Sequence, residues 1–131
     1  MRKMATLVLV CFLLVGHDML RQNAGAAEPR FILFFGAQST ELQDAGKSIV
    51  KTAAGDIERT HPASVLIATG ARSGNNMELS GPRFAVVRQA LIDDGVSQAL
   101  IARSAVPGAK LAGNSATGDQ RVEITLIKYR P

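Results

Sequence analysis

Val122-Glu123-Ile124-Thr125-Leu126-Ile127 alternates apolar with polar residues, and a period of two is the signature of a strand with one face buried. It predicts Val122, Ile124 and Leu126 packed against helices, with Glu123 and Thr125 facing the other way. A lone strand cannot bury its apolar face, so partners are sought upstream. Residues 31–35 (FILFF) and 65–68 (VLIA) are short apolar runs that read as buried strands, and residues 101–106 form a weaker candidate. Between them lie two helical patterns. The first covers residues 40–60, with Leu42, Ala45, Ile49, Val50, Ala53 and Ile57 at helical spacing. It stops at His61-Pro62, because a proline disfavours helix at the residue before it. For the second, Ser80 is the expected N-cap and Pro82 falls in the first turn. Val86, Val87, Ala90 and Leu91 supply the apolar face, and Gly95 ends it. Residues 69–76 and 107–119 read as loops. The order βαβαββ predicts an α+β domain, a mixed sheet with helices packed on it.

The N-terminus is not counted towards this fold. Met1-Arg2-Lys3-Met4 is basic, residues 5–16 are an uncharged apolar run, and a polar stretch then ends in Ala24-Gly25-Ala26-Ala27. That layout predicts a cleavable secretory signal over residues 1–26, with the domain beginning at residue 27. A membrane anchor needs about 20 apolar residues, and His17 and Asp18 break this run earlier. A lipoprotein signal on Cys11 is disfavoured because Val10, not a small residue, precedes it and Cys11 lies inside the apolar run. The mature chain is expected to carry no transmembrane segment.

Loss of Arg2, Lys3, Arg21 and Asp18 halves the formal charge of +4. No Lys/Arg cluster with interleaved aromatics is present, so nucleic acid is a poor partner. The single cysteine leaves with the signal, so the hundred or so remaining residues rely on their core rather than on a disulfide. His61 is then the only histidine, too few for the usual set of zinc ligands, and no metal or other cofactor is expected. Neither a G-x-S-x-G elbow nor a P-loop occurs. The adjacent carboxylates Asp93 and Asp94 point in different directions on a helix and read as a solvated face. No catalytic residue is assigned, and the chain is not expected to be an enzyme.

Over residues 31–128 the sequence resembles the OmpA C-terminal family, which includes peptidoglycan-associated lipoproteins and flagellar stator proteins. The family's first block, F-D-x-x-S-x-x-L, is matched by Phe35-Gly36-Ala37-Gln38-Ser39-Thr40-Glu41-Leu42. Its second, G-[HY]-T-D then N-x-x-L-S-x-x-R-A-x-x-V, is matched by Ala68-Thr69-Gly70 and by Asn76-Met77-Glu78-Leu79-Ser80-Gly81-Pro82-Arg83-Phe84-Ala85-Val86-Val87. Gly95-Val96 follows the helix as in the family. Asp119-Gln120-Arg121-Val122-Glu123-Ile124 stands for N-R-R-V-E-I.

The resemblance implies a non-catalytic periplasmic domain, associated with the outer membrane or cell wall, that binds the diaminopimelate of the peptidoglycan stem peptide. In the family an arginine pairs with a carboxylate and an aspartate holds the ammonium. Arg83 occupies the arginine position, and Asn76, Thr69 and Arg121 complete the expected ligand-binding set. The aspartate position is Gly70, the loop to Asn76 is shortened, and Gly36 replaces an acidic residue. Glu78 and Asp119 are candidate substitutes. The carboxylate half of the site is therefore expected to survive and the ammonium half to be lost, with Gly70→Asp the natural repair. The alternative is a module with a vestigial site that contacts other envelope proteins.

Overall fold

The computed structural model describes residues 28–71, 75–114 and 117–129, together with the backbone but not the side chains of Asn75 and Asn76. The expected signal, residues 1–26, lies outside the described residues. The elements in order are β1 (Arg30–Phe34), α1 (Asp44–Thr60), β2 (Ser64–Thr69), α2 (Asn75–Asp93), β3 (Ile101–Arg103), α3 (Gly108–Ala112) and β4 (Arg121–Ile127). They form a mixed four-stranded sheet in the order β1-β4-β2-β3. β4 runs antiparallel to both neighbours, with Ile124 opposite Phe31 on one side and Ile67 on the other, while β2 and β3 are parallel. This is the α+β architecture that the alternation predicts. Among the described residues no helix is long and apolar enough to cross a membrane.

The best-patterned strand takes a central place because it must pair on both edges. Val122, Ile124 and Leu126 are all but fully buried, and they share a core with Leu33, Val65 and Ile67 of the sheet and with Phe35 just after β1. Val50, Ala53 and Ile57 of α1 and Val87 and Leu91 of α2 close the same core. Each buried Val, Leu or Ile contributes about 1.5–3 kcal/mol over its exposed state, so the two helices are held mainly by this shared apolar layer.

The opposite face holds a buried charge. Glu123 does face away from the helices, yet it is only 6% exposed. Arg121 Nη2 donates to its Oε2 at 3.0 Å and Arg30 Nε lies 3.4 Å from its Oε1. The two arginines flank a carboxylate that could not otherwise be buried at low cost.

Both helix starts differ from the sequence reading. α1 begins at Asp44 rather than near residue 40, because Ser39 closes a local turn. Its N–H donates to Gly36 O at 3.1 Å and its hydroxyl accepts the Glu41 N–H at 3.0 Å, a pattern that competes with helix. α2 begins at Asn75, earlier than expected, so Ser80 is not an N-cap and Pro82 lies inside the helix. An internal proline costs about 3 kcal/mol through its lost hydrogen bond. The stripe Ser80, Arg83, Val87 and Leu91, all buried, shows what offsets it: packing of this face onto the sheet. His61 is exposed and ends α1 in a left-handed conformation, φ 47°.

Candidate functional site

The functional candidates gather where β2 and β3 end and α2 begins. Arg83 is the largest of the fully buried side chains, at 1% exposure. Its guanidinium is used by the protein itself. Nε donates to Ser39 O at 2.9 Å, Nη1 to Asp119 O at 2.8 Å and Nη2 to Gly36 O at 3.1 Å. The plane lies 5.5 Å from the centroid of Phe35, within cation–π range. Burial pushes its pKa below the ordinary arginine value, and the charge of Asp119 works against that shift. Arg83 therefore ties the loop before α1 to the turn before β4. Three of its five N–H groups are spent on backbone carbonyls.

Gly70 is set in a junction of backbones. Its N–H donates to Arg121 O at 2.7 Å, and a Cβ added to it would stand 2.1 Å from Gly118 O. Gly118 in turn has no room for a Cβ, which would meet Ala112 O at 1.8 Å. Gly108 closes the third side, with Thr69 O 3.0 Å from its own Cβ position. The segment read from sequence as a loop, residues 107–119, thus folds through α3 and a 3-10 turn (Gly118–Gln120) onto the end of β2. This overturns the Gly70→Asp repair. The obstacle is not a positive φ, which Gly70 does not have, but the Gly118 carbonyl occupying the space an aspartate would enter.

Beside this junction lies a polar cleft of about 240 Å³ with Thr69, Ser80, Arg103 and Ser104 among its walls and Met77 and Val106 at its sides. The buried hydroxyls of Thr69 and Ser80 hydrogen-bond to each other. Arg103 Nη2 donates to Ser80 Oγ at 2.7 Å, and its guanidinium lies 5.5 Å from the Phe84 ring centroid. Among the described residues Arg103 makes no ion pair, and no acidic side chain lines the cleft. Arg103 was missed in the sequence. The signal was there: if residues 101–106 alternate as a strand, Arg103 shares the helix-side face with Ile101, a charge on an otherwise core-facing row.

Of the expected ligand set, Thr69 lines this cleft and Arg83 lies behind it, one helical turn beyond Ser80. The side chain of Asn76 lies outside the described residues. Arg121 sits apart on the opposite sheet face, paired with Glu123, and its buried Nε has no hydrogen-bond partner. Among the described residues no group of three or more His, Cys, Asp or Glu is arranged to hold a metal ion.

No protein-family model matches the chain, and no curated protein matches it. Solved structures do. The OmpA-like domain of FopA1 from Francisella tularensis superposes with a TM-score of 0.64 at 20% identity, covering 74% of this chain and 70% of that one. The periplasmic domain of MotB from Helicobacter pylori gives 0.60 at 16% identity, covering 79% and 82%. The peptidoglycan-associated lipoprotein from Burkholderia pseudomallei gives 0.57 at 23% identity, covering 72% and 88%. At these identities the likeness is one of fold.

Proposed function

We propose that this chain, whose fold is that of the OmpA-like domains, is a non-catalytic module of the bacterial periplasm that associates with the peptidoglycan stem peptide through an altered site. The fold supports the envelope setting, since one similar structure is described as a peptidoglycan-associated lipoprotein and another as a periplasmic domain. The signal-like N-terminus supports export. The observation that carries the reading is the cationic cleft at the end of β2, where Ser80, itself hydrogen-bonded to Thr69, accepts from Arg103. A guanidinium fork matches a carboxylate in shape and charge. The site is altered because Gly118 fills the place of an ammonium-binding aspartate, so a zwitterionic ligand end loses half its grip. Co-sedimentation of the purified protein with cell-wall sacculi tests the proposal. Retention with the pellet is expected, and protein left wholly in the supernatant overturns it.

A second reading is a vestigial-site module that contacts an envelope protein. It is favoured by the helix-free sheet face, where Ile32 and Phe34 are 39% and 48% exposed. Cross-linking from that face to a protein, with no retention on sacculi, would select it.

A further inference from the structure

The cleft walls say which end of a peptide they suit. We infer that the Arg103 cleft takes a free peptide α-carboxylate whose last side chain is small and apolar, as at an alanine-ended stem peptide, rather than a zwitterionic amino-acid end. This rests on the wall-associating reading above and names the group that the site would hold.

Three observations converge on it. The first is charge. Arg103 is exposed and makes no ion pair among the described residues, and the lining has no acidic side chain. A carboxylate is matched there, whereas an ammonium would be desolvated beside a cation without a counter-charge. The second is preorganisation. Ser80 and the Phe84 ring fix the guanidinium from one side, and Ser80 is itself anchored on Thr69, so little side-chain freedom remains to be lost on binding. Ser80 takes one of five N–H groups, which leaves donors for a carboxylate. The third is the apolar wall. Met77 and Val106, two of the few large hydrophobic residues that are strongly exposed (60% and 47%), both line this cleft. They give a methyl group somewhere to lie while the carboxylate meets Arg103. At about 240 Å³ the cleft is smaller than pockets that enclose a drug-sized ligand, about 300–1,000 Å³, and fits the end of a chain rather than a whole molecule.

Titration calorimetry of the purified protein with N-acetyl-D-alanyl-D-alanine, its C-terminal amide and free D-alanine tests the inference. The acetylated acid is expected to bind at least about tenfold more tightly than either comparison, the usual loss on removing a charge-assisted partner. Equal binding of acid and amide, or preference for the zwitterion, overturns it without any mutation. Arg103→Gln should cost about tenfold or more in affinity for the acid with an unchanged thermal melt; parent-like binding by that folded variant also overturns it. Tighter binding of N-acetyl-L-alanyl-L-alanine would mark the cleft as a reader of protein C-termini and refute the wall ligand. The two readings fail separately. If sacculi retain parent and Arg103→Gln equally, the wall reading stands and this one falls. If the acid binds selectively while sacculi retain neither, the carboxylate cleft stands and the wall reading falls.

Discussion

Replacing Arg83 by methionine keeps most of the side chain's length and removes its charge and donors. Three hydrogen bonds to the Gly36, Ser39 and Asp119 carbonyls disappear, together with the contact over Phe35. Hydrogen bonds from a charged donor contribute about 1.5–3 kcal/mol each, so the gross loss is roughly 4.5–9 kcal/mol. Two effects offset part of it. The guanidinium no longer has to be desolvated, and the three carbonyls belong to residues that are partly exposed, so water replaces some of the lost donors. A net loss of about 3–5 kcal/mol remains, a large share of the 5–15 kcal/mol typical of a whole domain. Urea denaturation followed by circular dichroism reads it as a lower midpoint at unchanged slope. Arg83→Lys should lose nearly as much, since one ammonium cannot span three carbonyls on two loops. A loss under about 1 kcal/mol for Arg83→Met would refute the reasoning. If that variant also stopped binding cell-wall fragments, Arg83 would be a ligand group rather than a tie between loops.

Four further outcomes are expected. Leu126→Ala should cost about 2–5 kcal/mol in the same denaturation assay, the range for a buried leucine, and a loss well under 1 kcal/mol would undo the β4 register. Gly70→Asp should destabilise by about 3 kcal/mol, the upper end for overpacking, and gain no affinity for diaminopimelate-containing fragments by calorimetry. Glu123→Gln should lower stability by about 1–3 kcal/mol, read from its urea midpoint, because two arginine contacts lose their charged acceptor. N-terminal sequencing of the periplasmic form should begin at Ala27 or Glu28, and full-length protein retained in the inner membrane would refute the export expectation.

The strands were legible because burial on one face leaves a period of two that survives without any long-range information, as at Val122, Ile124 and Leu126. The start of α2 was not. Pro82 is a strong local signal for a helix start, and only the tertiary stripe through Arg83, Val87 and Leu91 explains why helix continues on its N-terminal side. β3 read weakly because a three-residue edge strand with one half-buried position has little pattern to show. Glu123 falls on the face that the alternation gives it, but its burial was not legible, since a sequence does not show that Arg30 of β1, at the far end of the chain yet on the neighbouring strand, reaches it.

The site was half legible for a related reason. A motif places residues along a strand or a helix, and so it pointed to Thr69 and Arg83, but it cannot say which of the guanidinium groups at this end of the sheet faces the solvent. That is decided by the segment between β3 and β4, where Gly108 and Gly118 look like loop punctuation and act instead as close-packing points. Gly118 can press its carbonyl onto Gly70 only because neither residue has a Cβ, and the turn so placed supplies the Asp119 carbonyl that Arg83 caps. The same segment carries Val106 to the side of the cleft and leaves Arg103 open beside it. One loop thus draws Arg83 into the structure, closes the space an aspartate would need, and exposes a different cation on the same end of the sheet. On the proposed function, the carboxylate grip has passed from Arg83 to Arg103 rather than vanished, which is why Arg103→Gln and Arg83→Met should part company, the first losing ligand at full stability and the second losing stability itself.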